Sequence, residues 1–358
     1  MATHLGQLIL NKQFTMRAKF QVFLALWVLV FAQACTDTDD NVQVPIDTGA
    51  SSVLILNEGL FRRGNAKISG YDAEASTSLG TVYDPSTSAA GGLDILQSAT
   101  ELGDTIVLVA NNSNSLVLLE RESLEELSRF QALGSPRYLT RMNNGQLLVT
   151  DLFAERLLIL NPDFTHAQIL AHQGQAEGSV AYEDGALFTS PSRGYIFYYD
   201  AILGEVTDSL AVPFRANGLI VLDNSRIAVC GGILNSGESG GLAIIDWSSK
   251  TIDFNLSFSE SESSLYPRIT AYQDQLFCLQ RDLIIVPKQN PNIVNVSRIV
   301  LDNFVDPYGL GIDPVNGELY VADAKSGLNI GEVVRMNPSG VPIDSFMVGI
   351  FPNGFIYR

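Results

Sequence analysis

A turn of small residues or proline leading into an apolar run recurs seven times in this 358-residue chain. It appears as GGLDILQ, GSPRYLTRM, EGSVAYED, RANGLIVLD, YPRITAYQ, DPYGLGID and FPNGFIYR. With Leu93, Pro136, Gly178, Gly218, Pro267, Pro307 and Pro352 as markers, the successive intervals are 43, 42, 40, 49, 40 and 45 residues. Between the markers lie short β-branched and aromatic runs: Val53–Leu56, Thr105–Ala110, Gln146–Thr150, Tyr195–Tyr199 and Leu242–Ile245. Gly, Asn, Asp, Ser and Pro bound these runs, which have the length and composition of strands. Ser123–Leu133 fits the same rhythm as an outer strand, with a short helix as the alternative.

Each interval has room for four strands. Four antiparallel strands repeated at this spacing predict an all-β, seven-bladed β-propeller. One four-stranded sheet cannot bury both its faces alone, whereas blades around an axis bury one another. A two-sheet sandwich would explain the strands but not the repeat, and six blades would require one marker to be spurious. The last marker leaves room for one strand only. The strands missing from that blade are expected from SSVLILNEG and AKISGYDAE, so that N- and C-terminal strands close the ring and hide the terminal edges.

The chain's start reads as targeting. Phe20–Ala34 carries no charge, follows Arg17 and Lys19, and is too short to span a bilayer. With Ala32-Gln33-Ala34 at its end, it fits a secretory signal over residues 1–34. A plain signal peptide or an N-terminal hydrophobic helix is the alternative. Met16 is a natural start for such a signal, so residues 1–15 are expected to be an over-extended gene start. Cys35 falls where a bacterial lipoprotein carries lipid, and Thr36-Asp37-Thr38-Asp39-Asp40 begins an acidic tether over residues 35–50. The propeller is expected over residues 51–358.

With 39 acidic and 22 basic side chains, the formal charge is −17. Such a surface repels nucleic-acid phosphate, so no nucleic-acid partner is expected. Three cysteines without short-spaced partners do not make a structural zinc site or a disulfide scaffold. Cys230 and Cys278 lie in β runs of adjacent blades and read as buried thiols. His166 and His172 read as surface-loop residues. No phosphate-binding glycine motif, serine elbow or metal set stands out, so no cofactor or catalytic residue is expected.

Propellers gather the loops between their second and third strands around one mouth. In this chain those loops hold Asn57, Glu58, Phe61, Arg62 and Arg63, then Asn111, Asn112, Ser113 and Asn114. Asp151, Leu152, Phe153 and Glu155 follow, then Ser190, Ser192 and Arg193. The later blades contribute Asn235, Glu238 and Ser239, then Gln280 and Arg281, then Asp323, Lys325 and Asn329. Amides and hydroxyls beside Phe61 and Phe153 suit a large polar ligand with an apolar face. Gly231–Gly241 reads as a loop inserted at this mouth, its glycines permitting turns.

The segments LILNEG…NAKISGYD, LGDTIVLVANNSNSLVLLE, SPRYL…LLVTDL and GLGIDPVNGELYVADA resemble the YncE-like, DUF5074-type propeller lipoproteins of Bacteroidetes. The resemblance covers roughly residues 50–358, with Asn57-Glu58-Gly59 and Ser135-Pro136-Arg137-Tyr138 its strongest pieces. It implies a lipid-anchored protein on the outer face of the outer membrane, partnered with a TonB-dependent transporter. The BtuG-like branch of that family captures cobalamin. GSVAYEDGALFTSPSRGYIFYYD departs from the family's usual Pro-Glu-Gly turn and Val-Ala-Asn strand end, so no cobalamin-binding residue carries over.

The leading expectation is therefore noncatalytic capture of a solute, with cobalamin the most concrete candidate. A second is a propeller hydrolase with a central divalent metal, its ligands drawn from Glu58, Asn111, Asp151 and Asp323. A third is a platform for protein–protein interaction or adhesion.

Overall fold

The second strand of a blade is buried on both sides, and its sequence shows why. In Ser52–Asn57, Thr105–Ala110 and Leu319–Asp323 nearly every side chain is inaccessible, because alternate residues face different neighbouring blades. Leu54 and Leu56 pack with Ile106 and Leu108 of the following blade, while Val53 and Ile55 pack with Tyr320 and Ala322 of the preceding one. The core is thus divided among seven apolar clusters, one in each gap between blades.

A computed structural model describes residues 52–131, 134–153 and 155–358, which form seven four-stranded antiparallel sheets. Blade 1 takes its inner strand, Pro352–Tyr357, from the C-terminus and its other three from residues 52–83. Val53 pairs with Tyr357 and Asn57 with Pro352, closing the ring. Blades 2 to 7 follow in sequence, with inner strands Leu96–Leu102, Pro136–Arg141, Ser179–Tyr182, Arg215–Val221, Arg268–Tyr272 and Pro307–Ile312. Each marker lies at or just before an inner strand, except Gly218, which falls inside one. Glu126–Gln131 is the outer strand of blade 2. Cys35 and the acidic tether lie outside the described residues.

Antiparallel order assigns every loop to one of two ends. Loops from second to third strands and crossings between blades share one end, called the mouth here. Ser52 starts its strand at the opposite end, where its carbonyl accepts from the Arg358 amide at 2.9 Å.

The 231–241 segment corrects one expectation. Arg226–Gly232 and Gly240–Asp246 are strands, so the loop is only residues 233–239. Among its glycines Gly237 alone has a positive φ, +87°. A Cβ at Gly241 would meet the Phe214 ring, and one at Gly231 the Arg215 carbonyl as well as that ring. His172 also departs from the surface-loop reading. It is buried edge-on against Phe188 and Phe197, with ring centroids 4.9 and 4.7 Å away.

Candidate functional site

The inner strands place a charged network on the ring axis. Four marker prolines are each followed by a residue of this network: Arg137, Arg268, Tyr308 and Asn353. Proline's fixed φ starts each inner strand in one geometry, and the next side chain reaches the residues of other blades.

Glu58 joins the network from the end of blade 1's second strand. Its Oε2 accepts from the Tyr308 hydroxyl at 3.0 Å, and its Oε1 from Asn353 Nδ2 at 2.7 Å. Arg268 Nη2 lies 3.9 Å from Glu58 Oε1, while Arg268 Nη1 donates to the Tyr138 hydroxyl at 3.2 Å. Arg137 forms a tighter pair: Nη2 lies 2.6 Å from Glu177 Oε1, and Nη1 donates to Gln97 Oε1. Two guanidinium groups and two carboxylates thus balance in a site removed from water.

Burial pushes the Glu58 carboxyl pKa upward, and the opposing pull of Arg268 and Asn353 does not cancel it. Burial works against the Arg137 charge too, but the Glu177 carboxylate outweighs it and raises the pKa. Burial first, then the Glu58 charge, drive the Tyr308 hydroxyl well above the usual phenol range. The network therefore keeps Arg137 charged and Tyr308 a hydrogen-bond donor.

Beside it lies a cavity of about 170 Å³, lined by Tyr138, Glu177, Asn217, Tyr266 and Arg268 among others. Asn217 Oδ1 accepts from the Gly232 amide at 3.0 Å, leaving Nδ2 without a partner among the described residues. The Tyr266 hydroxyl is likewise unpartnered there. Arg268, Asn217 and Tyr266 can together hold a hydrogen-bond acceptor between two phenol rings.

The expected mouth residues occupy the mouth end, but most of them fasten loops there. Asp151 accepts the amides of Ser135 and Phe153 at 2.8 and 2.9 Å. Asp323 does the same for Val305, Asp306 and Lys325, and Lys325 pairs with Glu332 at 2.7 Å. Asn57 Nδ2 donates to Ile55, Lys67 and Ser69, and Asn111 Nδ2 to the Pro136 carbonyl at 3.1 Å. Gln280 joins blades by accepting from the Ser264 amide and donating to the Gly231 carbonyl. Asn235 donates to Glu238 within its own loop at 2.9 Å.

The others lie apart from the axis. Phe61 and Phe153 are exposed loop tips, with Arg62 5.0 Å over the Phe61 ring. Asn112 and Arg281 are exposed. Arg193 lies over Tyr195 and Phe197, and the Ser190 hydroxyl is buried without a partner among the described residues. Of the expected mouth residues only Glu58 belongs to the axial network. The residues that follow the marker prolines were the signal for Arg137, Arg268, Tyr308 and Asn353, whereas Gln97, Tyr138 and Glu177 carried none.

The metal set drawn from Glu58, Asn111, Asp151 and Asp323 does not assemble. The last three are engaged in blade fastening, and among the described residues no group of three His, Cys, Asp or Glu side chains could hold a metal ion.

The fold and its axial site define the chain as a seven-bladed β-propeller. No family model matches the sequence, and no curated protein is similar to it. Among solved structures it resembles a putative 6-phosphogluconolactonase from Bacteroides fragilis at 13% identity and TM-score 0.65, covering 88% of this chain and 99% of that one. A putative 6-phosphogluconolactonase from Bacteroides uniformis gives 15% identity and TM-score 0.64, with 86% and 99% covered. The Pan2 WD40 domain of Neurospora crassa gives 12% identity and TM-score 0.58, with 81% and 91% covered. At these identities the likeness establishes the propeller fold, which enzymes and binding proteins share.

Proposed function

We propose that this propeller captures a solute at its mouth and does not transform it. The observation that carries this reading is the axial cavity, which at about 170 Å³ admits one acceptor group of a larger ligand rather than the whole of it; Arg268 and Asn217 are fixed there by hydrogen bonds, and Tyr266 stands at its edge. Preorganised donors of this kind bind acceptor groups without reorganisation cost. On the resemblance to YncE-like lipoproteins, the finer reading is a lipid anchor at Cys35, an outer-membrane location, a TonB-dependent transporter as partner and cobalamin as the first ligand to try. Calorimetric titration of the purified protein with cobalamin tests the ligand. Saturable binding at micromolar concentration, weakened by Tyr138→Phe, supports it, and no binding removes cobalamin.

A second reading, hydrolysis of a lactone at the same cavity, is favoured by the two putative 6-phosphogluconolactonases that this chain matches over most of its length. Glu58, whose carboxyl pKa is raised by burial and which accepts from Tyr308 and Asn353 in the network beside that cavity, is the candidate acid–base group of this reading. Turnover of a sugar lactone that is abolished by Glu58→Gln would replace capture with catalysis. Stable complex formation with an outer-membrane protein, without either small-molecule result, would favour the interaction platform.

A further inference from the structure

The longest marker interval, between Gly218 and Pro267, builds a second cavity at the mouth end. It lies outward of the axis, between the 233–239 loop of blade 5, the 259–267 crossing and the start of blade 6's 280–282 turn. Its volume is about 690 Å³, within the range of small-molecule sites. Ile233, Leu234 and Leu265 line it, and Leu234 and Leu265 remain 58% and 43% exposed.

The walls are tied in place although they are loops. Glu238 accepts from the Leu234 amide at 2.6 Å and from the Asn235 amide at 3.2 Å. Glu260 accepts from the Gly237 amide at 2.9 Å and the Ser236 hydroxyl at 3.2 Å, which pins the blade 5 loop to the crossing. The Arg281 amide donates to the Glu262 carbonyl at 3.1 Å, fixing the third wall. Exposed leucines on fastened loops keep apolar surface available for a ligand.

Glu260 Oε2 already accepts two hydrogen bonds from the loop it holds. Arg281 lines the same cavity, is exposed, and forms no ion pair among the described residues, although its charge is felt at the half-buried Asp306 carboxyl. We propose that this cleft binds a small organic anion, a carboxylate on an aliphatic or aromatic body. Arg281 takes the carboxylate, and Leu234 and Leu265 cover the body. This site is separate from the axial cavity and goes beyond the reading given above.

A matched set of probes tests it on the full protein: 3-phenylpropionate, its neutral amide, and 2-phenylethylamine share one apolar body. Calorimetry is expected to show one saturable site for the carboxylate, with the amide weaker by roughly tenfold. Arg281→Gln, a surface change, is expected to erase that difference, and Leu265→Ser to weaken both probes. Equal binding of acid and amide, preference for the amine, an unaffected Arg281→Gln variant, or no saturable binding of any probe would each overturn the proposal. Arg268→Gln is the counter-control. If it abolishes carboxylate binding while Arg281 is intact, the anion sits on the axis and the cleft proposal fails, whatever the fate of cobalamin.

Discussion

Arg268 Nη1 donates to the Tyr138 hydroxyl at 3.2 Å, joining residues 130 positions apart in the sequence. One belongs to blade 6 and the other to blade 3, so the bond crosses the axis. It forms only when blades 3 and 6 have taken their places around the axis. Tyr138→Phe removes this bond while leaving Arg268 beside Glu58 and the Tyr308 carbonyl. The expected stability loss is therefore small, about 1 kcal/mol. Denaturant unfolding checks it, and a loss several times larger would make the axial network chiefly structural.

Arg137 and Glu177 are each under a tenth exposed and contact each other at 2.6 Å. Removing one strands the other's charge without water. Arg137→Met is expected to cost ~3–5 kcal/mol, whereas adding Glu177→Leu should recover most of it. A double-mutant cycle by urea unfolding measures the coupling, and simple additivity would mean the pair is not desolvated.

His172 is held neutral. Burial, and then the Arg193 charge, lower its pKa to about 4 from the ordinary 6.5. The unfolded chain thus binds a proton that the folded one refuses. This neutral-histidine contribution is complete above pH 6.5 and is lost progressively as pH falls toward 4. The integrated change is ~3 kcal/mol. Comparing wild type with His172→Leu across this window cancels most other titrating groups, and parallel stability curves would contradict the burial of the ring.

Gly241 faces the Phe214 ring where a methyl group would overlap it. Gly241→Ala is expected to cost about 1–3 kcal/mol through overpacking. Phe214→Leu should relieve part of that cost in the double variant. Thermal unfolding reads both, and an unchanged Gly241→Ala midpoint would show that the blade 4–5 gap yields easily.

Local chemistry made the ring legible. The markers located all seven inner strands because every blade must begin with the same turn into a strand. The second-strand runs declared themselves because both faces are buried. Leu54 must be apolar for one neighbour and Ile55 for the other. The short C-terminal remainder required a terminal partner, found where Val53 meets Tyr357. The end of the ring that carries the loops also followed from strand order.

The same local patterns could not assign tasks to polar side chains. Asp151 and Asp323 end their strands alike and look like mouth residues, yet both accept amides that fasten neighbouring loops. His172 reads as a loop histidine until Phe188 and Phe197 enclose it from another blade.

What the amino-acid order alone decided was the period, the number of blades and the closure, since hydrogen bonding between neighbouring strands and burial by neighbouring blades repeat in every unit. Only the tertiary structure decided the site. Tyr138, Arg268, Glu58 and Tyr308 meet because rotation about the axis brings distant blades within hydrogen-bond reach; the marker prolines recur along the chain, but nothing in that repeat says which of the residues after them pair with one another.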